Sequence, residues 1–354
     1  MLKIKFKLFK FWPWLILILV VLAFLFWPIF SSTENSYYLP ATIFSKIIDR
    51  TNHLSETSPA VTVKNPVENI LIFGGDIMLS RTVNAQMEKY QNYSWPLVKI
   101  SPLFSEADLA IANLESPFLV ANNYKVPTGS FAFKANPKSA SALILAGFDI
   151  LSLANNHILN QGAAGLYDTT AILDKAGIAY TGLAAKNLVI KESQGIKFAF
   201  LSYTYSADSK LVANMLDISQ VKKDIISAKS QADVIVVLMH AGTEYTSAPN
   251  KQQIDFAHEV IDTGADLVIG SHPHWPQTVE NYQGKTIIYS LGNLVFDQMW
   301  SKETSRGLVA KIYFKDKKID KIDYIPIDIK DYGQAEIMAD SKIKDDLLKS
   351  LKID

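Results

Sequence analysis

Histidines and short polar clusters recur in this chain directly after apolar runs. The clearest case is ADLVIGSHPH, residues 265–274, in which a strand-like run ends with His272 and His274. The chain has only six histidines and no cysteine, so two imidazoles within three residues indicate a specific use. Imidazole is a common metal ligand and a general acid or base near neutral pH. Without thiolates, the natural ion for such donors is a divalent transition metal.

Four other segments follow the same plan, in which a short apolar run ends in polar side chains. These ends carry Asp76 in NILIFGGD, Asn113 and Glu115 in ADLAIANLE, Asn155, Asn156 and His157 in FDILSLANNH, and His240 in ADVIVVLMH. In α/β proteins, ligands bind beyond the carboxyl ends of the strands, so these side chains are expected to meet. A single histidine at a strand end is more often structural, whereas four that converge favour a metal site. His53 and His258 are interpreted as incidental.

The elements that must position these groups alternate along the chain. Near-continuous apolar runs rich in β-branched residues predict strands that are covered on both faces. Helical segments lie between them, and Asn136, Pro137 and Gly147 mark the start and stop of one. After Gly307 an alternating segment predicts a hairpin, and residues 341–352 predict a terminal helix. The pattern predicts an α/β layered domain.

The N-terminus predicts a membrane anchor. Residues 1–10 carry four lysines, and residues 11–30 have no charged or polar side chain. At ~1.5 Å per residue, this run spans roughly 30 Å, the thickness of a bilayer core. The lysines predict a cytoplasmic basic stub, an uncleaved transmembrane helix and an extracellular C-terminal domain in the cell membrane. A cleaved signal peptide is the alternative. Residues 31–66, rich in Ser, Thr, Asn and Pro, predict an extracellular spacer.

Composition excludes some classes of function. The 354 residues suffice for one large domain or two smaller ones, and 35 basic residues balance 35 acidic ones. A balanced charge does not favour nucleic acid as a partner. The absence of cysteine removes disulfides, thiolate zinc sites and cysteine nucleophiles.

The ordered motifs resemble the calcineurin-like metallophosphoesterase superfamily. They are most similar to its poly-γ-glutamate capsule-synthesis branch, the CapA-like proteins, over roughly residues 68–300. The segments that carry this resemblance are GGDIMLSR, ANLESP, LANNHILNQG, HAGTEY, DTGADLVIGSHPHWPQTVE and YSLGNLVFDQ. The resemblance implies a four-layer αββα sandwich over residues 67–330, followed by a C-terminal helical extension at 331–354.

The resemblance also implies a binding site for one or two divalent ions, manganese, zinc or iron. The implied ligands are Asp76 and His274 for the first ion, Asn156, His240 and His272 for the second, with Glu115 or Asn113 near the bridging position. His157 would protonate a leaving group as general acid. The metal would activate the attacking water.

Two departures from the superfamily pattern concern the first ion. Met78 occupies the position where the superfamily usually has histidine, and a thioether is a poor ligand for a hard metal. The segment ANLES replaces the usual Gly-Asp element. The first site is therefore expected to be weaker, to use Glu115 differently, or to be empty.

Four further residues are candidates for substrate binding. Arg81 could reach an anionic group, although a structural ion pair is the alternative. Glu244, four residues after His240, could bind substrate or be a solvated loop carboxylate. Asn293 and Asp297, with Gln298 beside them, could line the site or belong to a strand and turn needed for packing.

The resemblance implies a role in making, exporting or anchoring an anionic surface polymer, for which poly-γ-glutamate is the family's name substrate. The leading hypothesis is a metal-dependent hydrolase anchored in the bilayer by residues 11–30. A non-catalytic metal-containing subunit that handles polymer within a membrane synthase complex is the first alternative. A general surface metallophosphodiesterase is the second. His157 favours an enzyme, whereas Met78 favours the non-catalytic subunit.

Overall fold

The computed structural model describes residues 68–120, 131–205 and 210–353. The predicted stub, anchor and spacer lie outside these residues, as does His53. Within the described ranges, no helix is long and apolar enough to cross a bilayer.

The described strands form two mixed sheets. In chain order they are β1 (Glu68–Ile77), β2 (Leu109–Leu114), β3 (Ile150–Ser152), β4 (Ala179–Thr181), β5 (Val189–Ser193), β6 (Ile196–Thr204), β7 (Val234–His240), β8 (Leu267–Ser271), β9 (Val279–Tyr282), β10 (Lys285–Ile288), β11 (Asn293–Val295), β12 (Arg306–Lys315), β13 (Lys318–Lys330) and β14 (Gln334–Ile337). The first sheet has the order β14-β13-β12-β1-β2-β3-β4, with β11 paired to β1. The second has the order β5-β6-β7-β8-β10-β9.

The described helices lie between these strands. They are α1 (Arg81–Lys89), α2 (Ser101–Phe104), α3 (Ala140–Ala146), α4 (Gly162–Ala176), α5 (Ile218–Lys229), α6 (Lys251–Thr263) and α7 (Ser341–Ser350). The predicted signals around α3 are confirmed. The Asn136 side chain accepts the Lys138 N–H at 3.0 Å and begins a 3₁₀ turn, Pro137–Ser139, that leads into α3. Gly147, at φ +77°, ends α3.

Three hydrophobic clusters explain why the strands are apolar on both faces. Alternate residues of β1, such as Leu71 and Phe73, pack with Phe198 and Phe200 of β6 in a core shared by the two sheets. Ile72, which points the other way, belongs to a second cluster with α1, α3 and α4. The third cluster joins the opposite face of the second sheet to α5 and α6. The predicted mixed α/β architecture is confirmed.

A repeated aspartate fixes the start of four parallel strands. Asp108, Asp149, Asp233 and Asp266 each directly precede a strand, β2, β3, β7 and β8 respectively. Each carboxylate accepts a backbone N–H from the neighbouring strand, with distances of 2.7, 2.9, 3.0 and 2.9 Å. The acidic residue at the head of these apolar runs therefore sets the register of adjacent strands. Because the starts are aligned, the carboxyl ends meet at one edge.

A domain boundary is predicted at residue 330, where β13 ends. The sheet continues beyond it, because β14 pairs with β13 through Ile327↔Ile337 and three further residue pairs. The terminal helix α7 forms as predicted, but Leu351 and Ile353 after it are buried in the core between the sheets. Residues 331–353 are thus part of the domain. The helical pattern does not predict that these two side chains are buried, because their burial depends on how the two sheets pack.

Candidate metal centre

The aligned carboxyl ends of β1, β2, β7 and β8 and the loop after β3 converge on one buried polar cluster. All eight predicted ligand and acid residues lie in it: Asp76, Asn113, Glu115, Asn156, His157, His240, His272 and His274. Two sets offer donor atoms that all lie within 4.8 Å of one another. One set is Glu115, His240 and His272, and the other is Asp76, Glu115 and His274. Glu115 belongs to both sets.

Asp76 is fully buried at the end of β1 and is held by two donors. Its carboxylate accepts the Asn113 amide at 2.8 Å and the backbone N–H of His272 at 3.1 Å. Burial nevertheless raises its pKa to about 6. The oxygen of Asn113 accepts the Asn155 amide at 3.1 Å. Asn113, predicted as a possible ligand, therefore turns its nitrogen toward Asp76 and orients that carboxylate.

Glu115 is the least compensated group in the cluster. It is fully buried, and neither carboxylate oxygen has a hydrogen-bond partner among the described residues. Its Oε1 lies 3.8 Å from Nε2 of His157 and 3.9 Å from Nε2 of both His240 and His274. Burial and the Asp76 carboxylate raise the pKa of Glu115 well above its ordinary value of 4.5. A cation between Glu115 and the imidazoles would remove this cost.

Two of the imidazoles are oriented in the same way. Nδ1 of His274 lies 2.9 Å from Oδ1 of Asn293, and Nδ1 of His157 lies 2.9 Å from Oδ1 of Asn160. An amide oxygen can only accept, so each Nδ1 carries the proton. The lone pair at Nε2 therefore faces Glu115. Such outer contacts, which fix ring and tautomer, accompany metal-binding histidines generally.

His240, which belongs to the set with Glu115 and His272, contacts the loop after β3. Its Nε2 lies 2.9 Å from Oδ1 of Asn156, and its Nδ1 lies 2.9 Å from the hydroxyl of Ser271. Ligands held at ~2.1 Å from one ion are roughly 3 Å apart, so the Asn156 and His240 atoms have the spacing of neighbouring ligands. Burial lowers the pKa of His240 well below its ordinary value of 6.5, and the nearby histidines lower it further. The ring is therefore neutral, the form that binds a metal.

The HPH segment places its two histidines in different sets by leaving the strand. β8 ends at Ser271, and His272 and His274 have φ of +99° and +60°. Positive φ in non-glycine residues costs on the order of 1–3 kcal/mol each and clusters at functional sites. Burial lowers the pKa of His272 to about 4 and that of His274 to about 3, with His272 adding to the latter. Both rings are therefore neutral donors.

The donor set fits a divalent transition metal. It combines a buried carboxylate without a hydrogen-bond partner, a second buried carboxylate and neutral imidazoles, which are ligands that zinc, manganese and iron accept. A buried charge without a partner is costly, and two carboxylates in contact with neutral rings cannot compensate each other. Met78 does not contribute. It is buried in the helix-side hydrophobic cluster, where its sulfur accepts the Ser80 N–H at 3.1 Å.

Three of the four predicted substrate-binding residues have partners within the protein. Arg81 forms an ion pair with Asp297 and lies over the Phe133 ring at 4.8 Å. Asp297 also accepts the Thr82 N–H at 3.1 Å. Asn293 is fully buried, and its amide donates to Gln298 and to the Thr304 carbonyl. We therefore assign Asn293 to the orientation of His274, because it has no exposed surface for a substrate.

Glu244 lies on the loop after β7 and is partly exposed. Its negative charge is one of the influences that raise the pKa of Glu115 and of Tyr245. The structure therefore keeps Glu244 close to the centre electrostatically, and its contact with substrate stays a prediction.

Four residues that support the site were not among the predicted site residues. Asn160 and Ser271 stand within the quoted motifs and could have been found as partners of adjacent histidines. Phe133 stacks on His157 with ring centroids 4.0 Å apart, yet nothing in its sequence surroundings indicates this. Tyr245 stacks on His274 at 5.8 Å and follows Glu244 directly.

The backbone of β1 brings β11 against the site. Asp76 pairs with Asn293, and the Asp76 N–H donates to the Gly292 carbonyl at 3.0 Å. Gly75 allows this approach, because a Cβ there would lie 1.9 Å from the Gly292 oxygen. Gly75 of the GGD segment thus allows β11 to approach β1, and β11 carries Asn293, the hydrogen-bond partner of His274.

Residues 70–298 match the family model for the bacterial capsule synthesis protein PGA_cap. The chain belongs to the PGA_cap family. The resemblance to CapA-like proteins is thereby confirmed. The matched range includes every candidate site residue, from Asp76 to Asp297.

Two relatives of this PGA_cap chain carry related names. The PGA biosynthesis protein CapA of Bacillus subtilis (strain 168) is 30% identical over 295 residues, covering 80% of this chain and 77% of the relative. The capsule biosynthesis protein CapA of Bacillus anthracis is 30% identical over 275 residues, covering 73% and 66%. A solved structure described as a novel phosphatase from Mycoplasma pneumoniae aligns at a TM-score of 0.48 and 16% identity, covering 81% of this chain and 100% of that one.

Proposed function

We propose that this chain is a membrane-anchored, extracellular protein of poly-γ-glutamate capsule biosynthesis whose metal centre hydrolyses a phosphoester or an amide of the polymer. Membership of the PGA_cap family and the names of both CapA relatives support the polymer class. The apolar run at residues 11–30 supports the anchor. We interpret the two sheets and their outer helices as the αββα sandwich of metallophosphoesterases.

The environment of Glu115 carries the hydrolytic part of the proposal. A buried carboxylate without a donor, 3.8–3.9 Å from three imidazole nitrogens, is suited to share a cation between two ligand sets. A divalent ion at such a site supplies Lewis-acid charge, which activates water and stabilises negative charge. The protein contributes the fixed donors and excludes bulk water, since Asp76, Glu115 and His274 are all buried.

His157 is the proton donor in this proposal. Its Nδ1–H is fixed on Asn160, its ring stacks on Phe133, and its Nε2 faces the centre. Only Nε2 is therefore free to exchange a proton with a leaving group: once Nε2 is protonated, the imidazolium donates that proton and returns to the neutral ring, and burial, which lowers the pKa of His157, favours this release. The ring is 9% exposed, so a group bound at the centre can reach it. Removal of a general acid typically lowers a rate by a factor of about 10²–10⁴.

The test compares two histidine variants of the full chain, purified in detergent. We expect His157→Asn to keep its metal, measured by elemental analysis, and to lose at least about 100-fold in turnover on phosphodiester or γ-glutamyl substrates. His258→Asn is the matched control, because His258 contacts Tyr282 and Glu280 away from the centre. Unchanged turnover in His157→Asn would contradict the acid role. A wild-type chain without metal, even after reconstitution with manganese or zinc, would contradict the centre.

A non-catalytic, polymer-handling subunit is the second candidate, and Met78 favours it. Burial of this side chain in the hydrophobic cluster leaves the Asp76 set without the ligand the superfamily usually has there. On this alternative, metal would bind and Glu115→Gln would lower polymer output in cells. His157→Asn would then leave that output unchanged, which is the result that distinguishes the two candidates.

A further inference from the structure

Three aromatic rings lead from the metal centre toward solvent. Tyr245 stacks on His274 with ring centroids 5.8 Å apart and an interplanar angle of 27°. Trp300 packs edge-on against Tyr245, with centroids 4.7 Å apart. Trp300 is 61% exposed, an unusual degree for so large an apolar side chain. We call His274, Tyr245 and Trp300 the ring column.

The ring column is held in place relative to the centre. The backbone N–H of Tyr245 donates to the Pro273 carbonyl at 2.8 Å, and its hydroxyl accepts the Gln298 amide at 3.2 Å. The oxygen of Gln298 accepts from Asn293 at 3.2 Å, and Asn293 in turn orients His274. One network therefore fixes both His274 and Tyr245, and the exposed indole of Trp300 packs against the fixed Tyr245 ring.

A cavity of about 470 Å³ is lined by residues that stand next to the ring column in the chain. Its lining includes Ser247, Trp275 and Lys302, which follow residues of the column by one or two positions in the chain. Arg306 and the apolar Leu347 also line it. This volume is within the range of small-ligand sites.

The chemistry of these surfaces restricts what they can bind. The face of an indole carries negative charge density, so it repels a bare anion and accepts C–H groups, amide planes or cations. Lys302 attracts a carboxylate, whereas Arg306 already lies 3.9 Å from the Asp328 carboxylate, and Glu303 and Asp346 also line the cavity. A ligand that suits both the indole face and the cavity has methylene and amide segments with carboxylates at intervals.

We propose that an extended poly-γ-glutamate chain lies across Trp300 and continues into this cavity, with its amide and methylene groups on the indole and a carboxylate at Lys302. The inference rests on the proposed function, whose polymer class it adopts. It adds a binding surface outside the metal centre. A chain anchored there is presented to the centre at a fixed distance, so Trp300 determines specificity for polymer over small esters.

The first experiment measures the affinity of the full chain in detergent for γ-linked glutamate oligomers, by calorimetry. We expect Trp300→Ala to weaken binding about tenfold or more, equivalent to the loss of one stacking contact. Trp300→Phe should lose less, because it keeps an aromatic face. Tyr90→Ala is the control, since Tyr90 is another exposed aromatic, 44% accessible, that packs on Trp95. Metal content should be unchanged in all three variants.

A pair of charge reversals at adjacent positions tests the cavity. Lys302→Glu should weaken binding of the oligomer, and Glu303→Lys should strengthen it, because both residues line the cavity with opposite charges. An uncharged glycan oligomer is the reference ligand, and its affinity should not respond to either reversal. Equal effects on the oligomer and the glycan would overturn the assignment of Lys302.

The outcomes separate this inference from the proposed function. If the wild type binds the oligomer and Trp300→Ala binds it equally well, the ring column is not a polymer surface, while the proposed function stands. If the wild type binds the glycan but not the γ-linked oligomer, and Trp300→Ala loses the glycan, the polymer class is wrong. Loss of turnover in His157→Asn with normal oligomer binding would leave both intact.

Discussion

Acidic residues occupy both ends of the parallel strands, and the two ends use them in opposite ways. At the amino ends, Asp108, Asp149, Asp233 and Asp266 accept backbone N–H groups at 2.7–3.0 Å and are at least partly exposed. At the carboxyl ends, Asp76 and Glu115 are fully buried, and Glu115 has no hydrogen-bond partner among the described residues. The same chemical group is thus stabilising at one edge and costly at the other.

The difference separates fold from function. Each amino-end aspartate satisfies the N–H of an adjacent strand, and the second carboxylate oxygen accepts from Gln194 at Asp108, from Lys317 at Asp233 and from Lys285 at Asp266. Such contacts contribute to the stability of the free chain. The carboxyl-end cluster has unsatisfied oxygens, raised carboxyl pKa values and lowered imidazole pKa values. Its stability depends on what binds there.

The largest expected effect follows from Glu115→Gln, which removes the negative charge of the ligand shared by both sets. We expect metal affinity to fall by a factor of about 100 or more. A ligand that binds only the native state raises Tm, so the rise in Tm that added manganese or zinc gives in the wild type should disappear. In chelator, the variant should be at least as stable as the wild type, because an uncompensated buried carboxylate is gone. If the variant is less stable than the wild type in chelator, the Glu115 carboxylate is not destabilising, and the acidic residues at the two ends of the strands do not differ in this way.

Asn293→Ala should have the next largest effect. It leaves Nδ1 of His274 without its acceptor, so metal affinity should fall about 10–100-fold, as for other outer contacts of metal-binding histidines. Asn293→Asp keeps an acceptor oxygen and is the matched control, with affinity closer to that of the wild type. Metal titration followed by Tm measures both. Equal loss in the two variants would indicate that the amide hydrogen bonds to Gln298 and Thr304, which both variants lack, and not orientation of the ring, are the role of Asn293.

At the amino edge, Asp266→Ala should lower the free energy of unfolding by about 1–2 kcal/mol. The Ile235 N–H loses its acceptor and Lys285 loses its ion pair. Metal content should not change. Asp255→Ala is the control, because its ion pair with Lys251 is highly exposed and should contribute under about 0.5 kcal/mol. Denaturant unfolding in chelator measures the difference, and equal values for the two variants would contradict a role in strand register.

The smallest effect concerns pH at Asp233. The Lys197 N–H and the Lys317 ammonium hold the pKa of Asp233 below its ordinary value of 3.8. A depressed folded-state pKa gives stability that is present above that ordinary value and is lost as pH falls through the lowered one. The stability difference between the wild type and Asp233→Asn should therefore be constant near neutral pH and shrink under acid. The side chain is exposed, so solvent screening keeps the difference small. A difference that does not shrink as the pH falls below 3.8 would contradict the carboxylate's role.

Local patterns predicted the elements whose cause is local. The five apolar runs form strands, Asn136 and Gly147 delimit a helical segment, and the residues after Gly307 form a hairpin. The aspartate before four of these runs was visible in the sequence, but its hydrogen-bond acceptor role was not, because the donor belongs to a different strand. The strand after residue 330 was not predicted for the same reason, since β14 is defined by its pairing with β13.

The sequence by itself determined which side chains stand at the ends of the strands, and therefore which donors a metal could meet. This holds because strand length and side-chain alternation are encoded in neighbouring residues. Only the tertiary structure decided how those donors divide into two sets around Glu115, and that the Asn293 side chain accepts the Nδ1–H of His274. It also placed Trp300 at the end of a ring column beside the centre. These arrangements depend on contacts between segments far apart in the chain. The packing of the whole domain decides which side chains meet in such contacts, and neighbouring residues do not encode it.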